Sequence, residues 1–156
     1  MENYFRIWAN RENFRGYIFN WLYILRNTIF GIRPQTIRPI IESSYSSNLA
    51  ALHQLLELTK RSKTKVLLYI PPIRSDVPIP YAQQEYSRFI KDIEMFRANY
   101  KNVNFRDYSS IIPGKYWGYK EATNFVDKKE FDFMHFQFEG HRILADSLLS
   151  FFSSRR

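Results

Sequence analysis

Asp132 and His135 stand three residues apart in the stretch FDFMHFQFEGHRILADSLL, residues 131–149, with Phe131, Phe133, Met134 and Phe136 around them. A carboxylate that accepts a hydrogen bond from one imidazole nitrogen fixes the tautomer and stabilises the imidazolium. The other nitrogen can then take a proton from a hydroxyl nucleophile. The neighbouring apolar side chains would strengthen that electrostatic coupling by lowering the local dielectric. On spacing alone the structural reading is the stronger: Asp132 caps a turn and His135 is a satisfied core histidine.

Other residues could do chemistry with less support from their spacing. Arg74 and Asp76 follow an apolar run and either contact a substrate or pair with one another. Tyr116, Trp117 and Tyr119 either stack on sugar rings or pack over a loop. His141 follows His135 by six residues, with Asp127, Glu130 and Glu139 nearby, but these spacings match no standard metal-ligand pattern. His141 reads as a helix-start residue and His53, among leucines, as structural or surface. No metal and no cofactor is expected, since no glycine-rich phosphate cradle is present either.

The elements that would position Asp132 and His135 come from periodicity. Residues 18, 21, 22, 25 and 29 follow helical spacing, and Gly31 with Pro34 ends that run. The segment is aromatic and basic, with Arg15, Arg26, Arg33 and Arg38 between Tyr17, Trp21 and their neighbours. Such a helix could lie in a membrane interface, arginines reaching phosphates; the other reading docks it on the domain or on upstream chain. ESSYSS reads as a connector whose Ser46 or Ser47 caps a helix over 48–61. VLLYI, 66–70, is an unbroken apolar run stopped by Pro71-Pro72, the profile of a strand buried on both faces of a parallel sheet. Pro80 is placed to start a helix whose stripe is Tyr86, Phe89, Ile93, Phe96 and Tyr100. VNFRDY, 103–108, predicts a second strand, 109–130 reads as irregular, and Gly140 precedes a last helix. The core face of that helix would be Ile143, Leu144, Leu148, Phe151 and Phe152.

This order implies α/β layering with parallel strands and right-handed crossovers. In open sheets of this kind ligands bind beyond the carboxyl ends of the strands, and the stretch after VNFRDY would deliver Asp132 and His135 to that edge. Two strands fall short of the four to six that are usual.

At 156 residues the chain is one domain's length, and 45% hydrophobic content with 18% aromatic is that of a globular protein. A division is expected between a basic aromatic helical segment, 1–42, and an α/β part, 43–156. The absence of cysteine excludes disulfides and thiolate metal sites. A net charge of +8 suits an acidic partner, although the excess is spread along the chain. No apolar stretch approaches the roughly 18 residues that read as a bilayer span. Arg6, Arg11 and Arg15 also interrupt any cleavable signal pattern. The compartment therefore stays open, with membrane association or a cell-envelope location expected if the chain is part of a longer protein.

DFMHFQFEGHRILADSLL resembles the last block of the SGNH (GDSL-type) hydrolase superfamily: Asp-x-x-His, then a glycine and a closing amphipathic helix. KVLLYIPPIRSDVPIPY is similar to that superfamily's penultimate core strand and its proline-containing loop. The likeness covers about residues 46–152. It is strongest to an uncharacterised branch with YIPP, WG and DFMHF…GH signatures, and it extends to envelope acyl-transfer relatives that work on teichoic acids and alginate. The resemblance implies a three-layer, SGNH/flavodoxin-like sandwich and ester hydrolysis or O-acyl transfer on an ester- or acyl-bearing substrate. It makes Asp132 the orienting acid and His135 the general base, with Arg74, Asp76 and Trp117 as possible substrate contacts. The family's Gly-Asp-Ser nucleophile and its oxyanion-hole Gly and Asn blocks have no counterpart here. The expectation is therefore a C-terminal portion lacking the N-terminal strands and inactive alone. It would be a truncated frame, a chain completed by an upstream polypeptide that supplies the serine, or a dead relative. The competing expectation is a non-catalytic module that binds a membrane surface or, less favoured, nucleic acid through its N-terminal segment.

Overall fold

A computed structural model of the chain describes residues 8–153. The expectations that involve Arg6 and the first seven positions of the 1–42 segment lie outside the described residues. Contacts divide the chain into two compact units, neither continuous in sequence: Met1–Thr36 with Gly118–Asp132, and Ile37–Trp117 with Phe133–Arg156.

The first unit contains helix α1 (Arg11–Ile29). Gly31 ends it as expected: its φ of 59° is the left-handed conformation that glycine adopts without a Cβ clash, and Ile32 N–H closes back on the Asn27 carbonyl at 2.8 Å. The same unit contains most of β3 (Trp117–Glu121) and the first half of β4 (Lys129–Phe136), which pair as a two-stranded sheet. Polar groups join helix to hairpin. Asn27 Nδ2 donates to the Thr123 carbonyl at 2.9 Å, Phe125 N–H donates to Thr28 Oγ1 at 2.9 Å, and Arg33 meets Asp127 at 3.4 Å. Within the loop the Asn124 side-chain oxygen accepts from the N–H groups of Val126 and Asp127, a local turn that asparagine is suited to make. The segment 109–130 is therefore only partly irregular.

The second unit is mixed α/β, with α2 (Glu42–Arg61), β1 (Val66–Ile70), α3 (Gln83–Asn99), β2 (Val103–Asp107), a 3₁₀ turn (Gly114–Tyr116) and α4 (Phe138–Ser153). β1 and β2 are parallel neighbours in register from Val66 opposite Val103 to Ile70 opposite Asp107. Parallel neighbours require a crossover, and α3 supplies it. Val66 and Leu68, two apart and so on one face of β1, pack with Leu52 and Leu56 of α2, Phe96 of α3, Tyr100 and Val103.

Several local expectations change. The ESSYSS serines are the first turns of α2, which starts at Glu42 without a side-chain cap. Ser47 Oγ donates to the Ser43 carbonyl one turn earlier at 2.9 Å, so the hydroxyl is satisfied inside the helix instead of breaking it. β1 is not buried on both faces: Tyr69 is 39% exposed and lies against Tyr108, its ring 5.7 Å away. Pro80 precedes α3 and uses its carbonyl to accept from Arg38 N–H at 3.1 Å. Gly140 lies inside α4, and the reason is close packing: a Cβ there would come within 2.9 Å of the Phe136 ring and 3.2 Å of Ile112. On α4 Phe151 is buried but Phe152 is exposed, its ring edge-on to Phe151.

Candidate functional site

The carboxyl ends of β1 and β2 open into two loops of the second unit. Ile73 N–H after β1 donates to the Ser109 carbonyl after β2 at 2.8 Å, which holds the loops side by side. Next to this tie Arg74 is buried at 2% exposure and grips Asp76 with two parallel bonds, Nε to Oδ1 at 2.8 Å and Nη2 to Oδ2 at 2.9 Å. Arg74 and Asp76 thus pair, the second of the two readings open for them. A bidentate guanidinium–carboxylate fork fixes orientation as well as charge. The bond from Arg74 is the largest influence holding the Asp76 carboxyl below its ordinary range, with burial opposing it.

Gly114 completes that arrangement. A Cβ at this position would meet the Cβ of Asp76 at 2.5 Å and its Cγ at 2.6 Å, so only glycine lets the 3₁₀ turn approach the fork. From the same turn the Tyr116 carbonyl accepts from Gln137 N–H at 2.7 Å. Gln137 follows β4 directly and stands two residues after His135. In the second unit a short series of contacts therefore leads from the sheet edge through Asp76 and Gly114 to the end of β4.

The division between the units falls inside β4, so Asp132 belongs with the first and His135 with the second. They share one strand, and at an odd spacing of three the strand's alternation sends their side chains to opposite faces of β4. Burial separates them: Asp132 is 7% exposed, whereas His135 is exposed. After β4 the His141 ring lies 4.4 Å from Phe136. Among the described residues no group of three or more His, Asp and Glu side chains is placed to hold a metal ion.

Trp117 is 4% exposed, its ring edge-on to Phe136 at 5.3 Å and its N–H directed at the Ile112 carbonyl at 3.4 Å. Packing accounts for it. Tyr119 is exposed beside Phe131, in the first unit. Sequence reasoning took Tyr86 for an apolar stripe residue and missed its hydroxyl. That hydroxyl is sealed from water with no hydrogen bond of good geometry, and burial together with the nearby Asp107 charge pushes its pKa up while the Ser109 side chain opposes the shift. Gly114 falls in the stretch that reads as irregular; its role depends on Asp76, from a separate segment, and no local pattern carries it.

No family model, curated protein or solved structure matches the chain. Fold and residue geometry are therefore the basis for any functional reading.

Proposed function

We propose that the chain carries the acid/base half of an ester-hydrolysing or O-acyl-transferring site, with His135 as general base and Asp132 as the acid that orients it. The supporting observation is the burial contrast along one strand: a carboxylate withdrawn from water stands three residues before an accessible imidazole. An imidazole open to a substrate is what a general base needs. Because Asp132 leaves the opposite face of β4, the orienting contact requires the strand to turn between the two residues. In this reading the two-stranded parallel sheet is part of a three-layer SGNH/flavodoxin-like sandwich, completed by strands that this chain does not supply. The nucleophilic serine comes from an upstream segment or polypeptide, because an Asp/His pair cannot by itself form the covalent intermediate.

The steps balance without a cofactor. The supplied serine oxygen bonds to the ester carbonyl carbon while His135 takes its proton, and the imidazolium then protonates the departing alkoxide. Water or an acceptor hydroxyl repeats the sequence to release the acyl group. Asp76, held by the buried Arg74 but itself partly exposed at the sheet edge, is the member of that fork open to an ester- or acyl-bearing substrate.

The test is hydrolysis of p-nitrophenyl acetate by the chain alone and by the chain joined to a Gly-Asp-Ser segment encoded upstream. The chain alone should run at the buffer rate. The joined protein should turn over, and His135→Ala should remove about three to four orders of magnitude of that rate. Equal turnover by the His135→Ala protein would end the reading. Turnover by the isolated chain that depends on His135 would show that the nucleophile lies within it.

A further inference from the structure

Helix α1 has an unusual surface for an element of a folded unit. Tyr17 is 79% exposed, Phe14 63%, Trp21 50%, Leu22 46% and Ile18 42%. At the helical rotation of about 100° per residue these five side chains fall within an arc of roughly 140°. Arg15 and Arg26 border one side of that arc, and Arg11 lies within it near the same edge. The exposed Phe19 and Tyr23 fall beyond the arginines, and Glu12 is the sole acidic residue of the helix. A contiguous exposed apolar face marks an interaction site, and its composition identifies the kind.

We propose that α1 lies in the plane of an anionic lipid bilayer surface, the aromatic arc sunk at headgroup depth and the arginines on phosphates. Three observations carry this. The arc joins indole, phenol and aliphatic groups, which match the graded polarity of the interface. The basic border complements anionic headgroups, and the whole chain carries a net charge of +8. Among the described residues no helix is long and apolar enough to cross a membrane, which leaves a position in the interface as the membrane location open to α1. The proposal is independent of the acyl-transfer reading and survives its failure.

The experiment is sedimentation of the full chain with vesicles of phosphatidylcholine, alone or equimolar with phosphatidylglycerol, together with tryptophan emission. Trp8 and Trp21 are exposed, whereas Trp117 is buried and serves as an internal constant. Binding to the anionic vesicles, with emission shifted to the blue and strong weakening by salt, is expected. Replacing Arg11 and Arg15 by glutamine should weaken it roughly thirtyfold, from about 1 kcal/mol per cation at an anionic surface. Trp21→Glu should weaken it by at least about tenfold while Trp21→Phe retains most of it. Equal binding by wild type and both weakened variants, or none at all, would overturn the proposal. Vesicle binding displaced by single-stranded RNA would assign the surface to nucleic acid instead. Self-association in lipid-free buffer that Trp21→Glu abolishes would assign it to a second copy of the chain.

Discussion

The two units bury opposite kinds of side chain. In the first, the buried residues among those described are Asn27, Asn124, Glu130 and Asp132, all polar or charged. The second holds the buried apolar residues, including Leu56, Ile70, Ile93, Val103, Ile112 and Phe151, with Arg74 as the one buried charge among its described residues. Large apolar side chains face solvent in both units, but among the described residues of the first none is buried, and Trp8, Phe14, Tyr17, Phe19, Trp21 and Phe30 are all exposed. Hydrophobic burial is proportional to area and non-directional, so the second unit gains cohesion from any good packing. Buried polar groups stabilise only when each is paired. The first unit therefore depends on a few specific bonds and presents its apolar surface outward for something else to cover. The second unit thus holds an apolar core of its own, and the first is a polar-stapled helix and hairpin with exposed aromatic side chains.

The contrast predicts a graded set of effects. Leu56→Ala removes a side chain with no exposed surface at the centre of the second unit's cluster and should cost about 3–4 kcal/mol, read from denaturant unfolding of β1 and β2. A cost below about 1 kcal/mol would mean that no continuous core exists there. Gly114→Ala should cost about 2–3 kcal/mol, because the new methyl and the Asp76 Cβ cannot share the space. Asp76→Asn provides a pH signature of the same fork. Since the folded carboxyl is held below its ordinary range, its contribution is full above the unfolded value near 4 and is lost as pH falls through the lower folded value. The wild type should thus lose stability on acidification over that window more steeply than Asp76→Asn; parallel acid profiles would remove the fork from the stability of this edge.

Asn27→Ala should cost about 1–2 kcal/mol, since it leaves the Thr123 carbonyl without its donor. The loss should show as faster amide exchange across 118–132, with β1 and β2 unchanged; acceleration that spreads equally to both units would erase the contrast. The smallest effect belongs to Tyr86→Phe. Removing a sealed hydroxyl whose nearest polar side chain, Ser109, makes no well-formed bond to it should leave stability unchanged or raise it by up to about 1 kcal/mol. A loss above about 1 kcal/mol would mean that the hydroxyl has a stabilising partner.

Much of the second unit was legible because its signals are local. VLLYI and VNFRDY are short apolar or β-branched runs flanked by turns, and the Tyr86-to-Tyr100 stripe has an unambiguous helical period. The first unit resisted for a physical reason. β4 buries Glu130 and Asp132 while leaving Phe131 and Phe133 half-buried, so its alternation runs against the apolar-inside pattern that marks a strand. The α2 start was hidden because serines favour connectors until a hydroxyl bonds back to the preceding turn. At the candidate site the residue types of Asp132, His135, Arg74 and Asp76 could be read from spacing. The burial of Arg74 and the need for Gly114 beside Asp76 arise only when distant segments meet.

The most direct measurement of the acid/base reading is a double-mutant cycle in the serine-complemented protein, with Asp132→Asn and His135→Ala made singly and together and turnover compared. If the acid acts through the imidazole, the double variant should be no slower than His135→Ala alone. Losses that multiply, each substitution lowering the rate by its own full factor, would show that the two side chains act separately and would contradict the account.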